Sequence, residues 1–267
     1  MLHIHDDDGQ AGRLQVAIDI ARLEKGHINC IQAAGIEPLV VDPFAGLSGM
    51  VAMIDTIHDQ DKRVRHAIEA RLAAAGVAWD WRCFEGAAAE ALIAQSRLAD
   101  VVIVSQPSDH HADLSLNSIG DLLVHASAPV LVVPGGCNNL QADGDVVLAW
   151  NGSAEAAHAM RLVAPLMKQA RRIHVVDVDD DRPATQRGVP AGDAAAYLAR
   201  HGIACELHEW PSKGRRISAA LLHAVAELGA RFLVMGAYGH SRLRETVLGG
   251  VTRELLSASP VPLLLAH

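Results

Sequence analysis

The feature that most constrains this 267-residue chain is that it repeats itself. Gly76-Val-Ala-Trp-Asp-Trp-Arg82 matches Gly202-Ile-Ala-Cys-Glu-Leu-His208, each a turn followed by an alternating segment. Leu98-Ala-Asp-Val-Val-Ile-Val104 matches Gly229-Ala-Arg-Phe-Leu-Val-Met235, and Ala128-Pro-Val-Leu-Val-Val133 matches Val261-Pro-Leu-Leu-Leu-Ala266. Near the start of each copy, Asp8-Gly9 matches Asn151-Gly152. The matched apolar runs are short, branched and uninterrupted, as strands buried on both faces must be. A duplicated unit of this size makes two structural units of about half the chain each, 1–134 and 145–267. The join, Pro134 to Gly144, is rich in turn formers and reads as a linker.

Each copy alternates strands with helical stretches. In the second, strands are expected near 145–150, 172–178, 203–209, 231–235 and 261–266. Helices fill 153–169, 191–201, 214–228 and 250–258, with Ser153 as an N-cap and Pro165 predicting a kink or early end. Alternating βα units imply a parallel sheet with helices on both faces, so the fold class is α/β, two tandem doubly wound sheets.

Between the last two strands of copy two lie Gly236-Ala-Tyr-Gly239, nine residues, and Gly249-Gly250-Val251-Thr252. The final glycines open a helix. Glycine lets a backbone approach a ligand closely, and a helix N-terminus presents unpaired N–H groups to an anion. This spacing resembles the phosphate loop of the universal stress protein family. The resemblance implies Rossmann-like sheets of strand order 3-2-1-4-5, often in tandem pairs, with a ligand crevice where the order reverses between strands one and four.

It further implies a bound adenine nucleotide, ATP with or without Mg, and a stress-response or regulatory role in the cytoplasm. Backbone groups around Gly236, Gly239, Gly249, Gly250 and Val251 would cradle phosphates, with the Thr252 hydroxyl beside them. Asn151 would lie near the ribose, the Val175 backbone against the adenine, and Arg242 or Arg244 within reach of phosphate. Gly250 replaces the family's usual hydroxyl residue, and Asn151 its usual acidic one. In copy one, Ser105, Ser108 and Leu116 stand at the positions of Gly236, Gly239 and Gly249, and Asp6-Asp7-Asp8 leaves the first strand end acidic and unneutralised. The expectation is one nucleotide per chain, in copy two. The resemblance also implies that the two final strands pair antiparallel inside the chain, an internal pseudo-dimer that beyond itself is a monomer or a weak homodimer.

Composition limits the alternatives. Half the residues are apolar, the net charge is −8, and the basic residues do not cluster, which disfavours a nucleic-acid partner. No apolar run is long enough for a membrane span, and the N-terminal residues do not read as a signal peptide. The four cysteines are scattered and read as small hydrophobes, with neither a zinc nor a disulfide framework. His3-Ile-His5-Asp6-Asp7-Asp8, with His110, His111 and Asp113, offers ligands for a metal-dependent hydrolase. Fifteen histidines make chance clusters common, and aspartates after a strand suit a turn, so no metal site is expected there. No G-x-S-x-G elbow, dinucleotide fingerprint or Walker-type lysine occurs, so no catalytic residue is assigned and hydrolysis of ATP would be slow at most. A scaffold of the same fold that binds no nucleotide, acting through an unidentified protein partner, is the other alternative.

Overall fold

The computed structural model describes residues 1–34, 62–107, 114–179, 188–238 and 249–267. In chain order the elements are β1 (Leu2–Ile4), α1 (Gln10–Glu24), β2 (His27–Ala34), α2 (62–75), β3 (Ala78–Glu85), α3 (Ala88–Gln95), β4 (Val102–Ser105), α4 (Leu116–His125) and β5 (Val130–Val133). The second half gives β6 (Asp145–Trp150), α5 (Ala154–Met167), β7 (Arg172–Asp179), α6 (Ala191–Arg200), β8 (Cys205–Pro211), α7 (Ile217–Glu227), β9 (Phe232–Gly236), α8 (Gly250–Ala258) and β10 (Leu263–Ala266).

All ten strands form one sheet, ordered β3-β2-β1-β4-β5-β10-β9-β6-β7-β8. Each half has the order 3-2-1-4-5 and is parallel throughout. The halves meet at an antiparallel pairing of their final strands, Val132 opposite Leu263 and Leu131 opposite Leu264. Each final strand thereby covers the other's apolar edge.

The strands near the middle (β4, β5, β6, β9 and β10) are buried almost throughout, because helices cover both faces. The outermost strands β3 and β8 are more exposed and largely alternate, because successive side chains point to opposite faces and the sheet edge is less fully covered. One core lies under α1, α2, α5 and α6, around Leu14, Leu72, Met160 and Leu198. The other lies under α3, α4, α7 and α8, around Leu92, Leu122, Leu221 and Leu255. Each core draws helices from both halves, so burial of apolar surface, the dominant favourable term in folding, joins the halves as well as building them.

The segment after β5 is packed rather than free. Leu140 and Ala142 are buried, the Leu140 amide donates to Asp19 Oδ2 at 2.9 Å, and a Cβ on Gly12 would collide with the Cys137 carbonyl. Several element ends differ from those the sequence suggests. The helix expected from 214 begins at Ile217, because Lys213 and Gly214 have positive φ values of 49° and 72° and form a turn. The last strand begins at Leu263, past Pro262, which has no N–H for a ladder. Pro165 lies inside α5, which ends two residues later at Met167. Among the cysteines, Cys30 is buried and desolvation pushes its thiol up to about 12, as for a small hydrophobe, but Cys83 is exposed on the edge strand β3.

Candidate functional site

The sheet order reverses between β6 and β9, and a cavity of about 440 Å3 opens at their carboxyl ends. Its walls come from Ala149, Trp150 and Asn151 at the end of β6, Val176 and Val178 on β7, Ile217 and Leu221 on α7, Met235, Gly236 and Tyr238 at the end of β9, and Gly249 to Thr252 at the start of α8. A small-molecule ligand fits that volume, and the mixture of apolar walls with one polar end is typical of such sites.

The polar end is the first turn of α8. Gly249 is its N-cap and carries no side chain to satisfy the first-turn N–H groups. Among the described residues, a Cβ on Gly249 or Gly250 would meet nothing within 4 Å. Thr252 is buried and lines the same cavity. An anion held here would face unpaired donors and the positive end of the helix dipole. Gly236 is required for a different reason: a Cβ there would collide with the Ala156 amide and Glu155. Its lack of a side chain lets α5 sit against β9.

The surrounding loops are held firmly. Asn151 Oδ1 accepts from the Ser153 amide at 3.1 Å, and Ser153 Oγ caps α5 by accepting from the Ala156 amide at 3.2 Å. The Val189 amide donates to the Gly152 carbonyl at 3.0 Å, while Trp150 Nε1 donates to the Val189 carbonyl at 2.8 Å. Gly152 has φ 75°, and a Cβ on it would collide with 188–189, so glycine is needed where those backbones cross. Tyr238, at φ 67°, donates its hydroxyl to the Gly120 carbonyl at 3.2 Å, linking the cavity wall to the first half. Burial pushes that hydroxyl up, with Asp121 adding to it, so it remains a donor. At the α7 side, Glu254 accepts from Ser218 Oγ and from Arg216, and those bonds hold its carboxyl below the usual range.

Of the residues singled out in the sequence, Asn151, Gly236, Gly249, Gly250, Val251 and Thr252 are brought together around this cavity. Gly239, Arg242 and Arg244 lie outside the described residues. The Val175 side chain is fully buried in the opposite core, under α5, while Val176 and Val178 face the cavity, so whatever Val175 offers a ligand is its backbone, as expected of it. Strand alternation puts neighbours on opposite faces. Trp150, Tyr238 and the apolar wall of α7 were not singled out. A tryptophan ending a central strand beside Asn151-Gly152 was the available signal for the first.

The equivalent crevice in the first half is filled. Counting from Asp8-Gly9 and Asn151-Gly152, Arg13 stands where the second half has Ala156. Arg13 is fully buried and donates to the His3 carbonyl at 2.8 Å, the His5 carbonyl at 2.9 Å, Gln10 Oε1 at 2.7 Å and both oxygens of Asp7 at 2.9 Å. It also donates to Ser105 Oγ, at the position of Gly236. Asp7 is therefore neutralised, contrary to the expectation of an uncompensated acidic end. The α4 N-terminus is closed too, since Ser115 Oγ accepts from the Ser118 amide at 3.1 Å. His3 and His5 stack with ring centroids 6.1 Å apart, but no third ligand joins them among the described residues. His110, His111, Asp113 and Ser108 lie outside the described residues.

Comparison with known proteins agrees with this architecture. Residues 144–267 match the model of the Universal stress protein family. A universal stress protein of Synechocystis sp. is 27% identical over 137 residues, 51% of this chain and 46% of that protein. One of Mycobacterium tuberculosis is 36% identical over 72 residues, 27% of this chain and 25% of that protein. The chain thus aligns with less than half the length of these curated relatives. A crystal structure of a universal stress protein from Archaeoglobus fulgidus superimposes with TM-score 0.75 at 18% identity, covering 99% of this chain and 96% of that one. A functionally unknown protein from Pseudomonas aeruginosa superimposes with TM-score 0.58 at 15% identity, covering 99% and 90%. At such identities the likeness is one of fold. Among the described residues, no helix is long and apolar enough to cross a membrane.

Proposed function

We propose, from the match of residues 144–267 to the model of the Universal stress protein family, that the chain binds one adenine nucleotide, ATP in the first instance, in the β6–β9 crevice. The observation that carries this reading is the pairing of an apolar slot with an unobstructed helix N-terminus in a single cavity. The slot, between Val176, Val178, Met235 and Leu221, suits a flat heteroaromatic ring. The first turn of α8 suits phosphate, and Asn151 lies between the two loops that would flank a ribose. Units 1–134 and 145–267 then divide the work: the second binds, and the first braces it through β5, β10 and Tyr238. In this reading the nucleotide acts as a signal or a stabiliser in a stress or regulatory role in the cytoplasm, with Mg arriving on the phosphates where it is present. Beyond the internal pairing the chain is a monomer or a weak homodimer.

Isothermal titration of the full chain with ATP tests this directly. One site per chain is expected, and RNA or DNA should give no heat. Two equivalent sites, or none at millimolar ATP, would overturn the assignment to the second half alone.

A further inference from the structure

A different group of side chains converges on the α7 side of the sheet, upstream of the cavity-lining part of β7. The parallel register of β7 and β8 sets His174 opposite Glu206 and Val176 opposite His208. Glu206 and His208, two apart on one strand, share a face. His174 reaches between them. Its Nδ1 lies 2.9 Å from His208 Nε2 and 3.7 Å from Glu206 Oε2, and His208 Nε2 lies 3.9 Å from the same oxygen. Among the described residues, this is the group of His, Cys, Asp or Glu whose ligand atoms all fall within 4.8 Å of one another.

The far side of His174 supplies an independent observation. The residue is 3% exposed, yet its Nε2 has no hydrogen-bond partner within 3.5 Å among the described residues. The nearby carboxylate is Asp145, with Oδ2 at 3.7 Å, held in place by two bonds from Arg171 at 2.8 and 2.6 Å. A histidine that serves only to bond another histidine leaves that buried nitrogen short of a close partner, which is unfavourable in a desolvated setting. A metal-bound imidazole, in contrast, characteristically turns its distal N–H toward a carboxylate.

We propose that His174, Glu206 and His208 bind one divalent cation of the zinc class, with Asp145 orienting His174 from behind. Two imidazole nitrogens and one carboxylate oxygen leave a fourth, water-filled position, a set that suits tetrahedral zinc. Nitrogens bound to one such ion lie ~3.3 Å apart, so the two rings part by a few tenths of an ångström. The proton they share moves to a distal ring nitrogen, and in His174 that nitrogen faces Asp145. Glu206, with about half its side chain exposed, lies on the entry path; Arg172 Nη1 holds its Oε1 at 2.8 Å and leaves Oε2 toward the histidines. The site is separate from the His3-His5 pair and from the nucleotide cavity. It was invisible in the sequence because its two histidines are 34 residues apart and only strand register joins them.

The test uses the full chain stripped of metal and then titrated with Zn2+ against a chromophoric chelator, and in parallel with Co2+ read by visible absorption. One tight equivalent and a tetrahedral cobalt band are expected. Glu206→Gln and His208→Ala should each weaken Zn2+ binding at least ~100-fold and remove the band, while His27→Ala, at an exposed histidine, should change nothing. If His208→Ala fails to fold by circular dichroism, Glu206→Gln at its half-exposed position decides the matter. Absence of a stoichiometric site, or Zn2+ affinity within ~3-fold of the parent in Glu206→Gln, would overturn the proposal.

Discussion

At the carboxyl ends of β1 and β4 the crevice is occupied by the guanidinium of Arg13, whereas at the matching ends of β6 and β9 the equivalent residue is Ala156 and a cavity remains. Ser105 at one strand end corresponds to Gly236 at the other, and Asp7 to Trp150. The helix that follows is closed by Ser115 in one half and left bare at Gly249 in the other. Four local substitutions on one backbone plan therefore separate a sealed crevice from an open one. The contrast teaches that a crevice at a topological switch point is a property of the fold, and that its use depends on the few side chains aimed into it.

The largest effect expected from probing this comparison is on the sealed side. Removing the guanidinium in Arg13→Ala leaves Asp7 and two strand-end carbonyls without their buried donor. Breaking a buried ion pair from one side costs about 3–5 kcal/mol. Urea denaturation should report a loss of that size, and the vacated space should not bind ATP, because the orphaned carboxylate repels phosphate. A loss below about 1 kcal/mol, or a second ATP site in the variant, would mean that Arg13 does not seal the first crevice.

On the open side, Gly249→Leu copies the residue found at the start of α4. The backbone there has φ −57°, which any residue adopts, and a Cβ meets nothing. Leucine is a poorer N-cap than glycine, so stability should fall by about 1 kcal/mol with the fold intact. Its branched side chain would stand in the space before the α8 N-terminus, so ATP affinity should fall about 100-fold, roughly 2.8 kcal/mol. Unaltered affinity by isothermal titration in the folded variant would move the phosphate away from α8.

How much of this could be read in advance follows from what each residue depends on. Strand positions in β4, β6, β9 and β10 were legible, because burial on both faces demands uninterrupted apolar runs. The glycines around α8 were legible as a strand-to-helix crossover whose helix starts without a capping side chain. Arg13 was not. An arginine one turn into a helix reads as solvated, and its acceptors include Ser105, 92 residues away. Asp7 was misjudged as unneutralised for the same reason. Val176 and Val178 were not singled out, because a one-residue step along a strand reverses the face and the sequence pointed to the backbone of Val175. The segment around Leu140 looked like a linker because its turn formers conceal two buried apolar residues.

The helix starts offer a smaller contrast. Ser153 caps α5, whereas α1 begins after Gly9 with no side-chain cap. Ser153→Ala should cost about 1 kcal/mol in urea denaturation, the usual value of such a cap. Since Ser153 also lines the cavity, ATP affinity should drop by a few-fold as the Asn151-Gly152-Ser153 loop loosens. Gly9→Ala is no matching control, because a Cβ there would collide with Ser105.

The smallest expected effect is the most discriminating, because its sign is favourable. Gly250 is the first residue of α8 and borders open cavity. Gly250→Ser replaces the poorest common helix former but one with a better residue, worth about 0.5 kcal/mol. It also adds a hydroxyl beside the unpaired N–H groups of the first turn. If an anion sits there, the added donor should tighten ATP by about 2- to 5-fold, within the ~1 kcal/mol that one hydrogen bond contributes. Had α8 only a packing role, the stability gain would appear in denaturation while the titration stayed unchanged. A 10-fold weakening of ATP would be more damaging, since it would mean that the space before Gly250 holds a part of the ligand that excludes a hydroxyl, and the orientation with phosphate on α8 would have to be reversed.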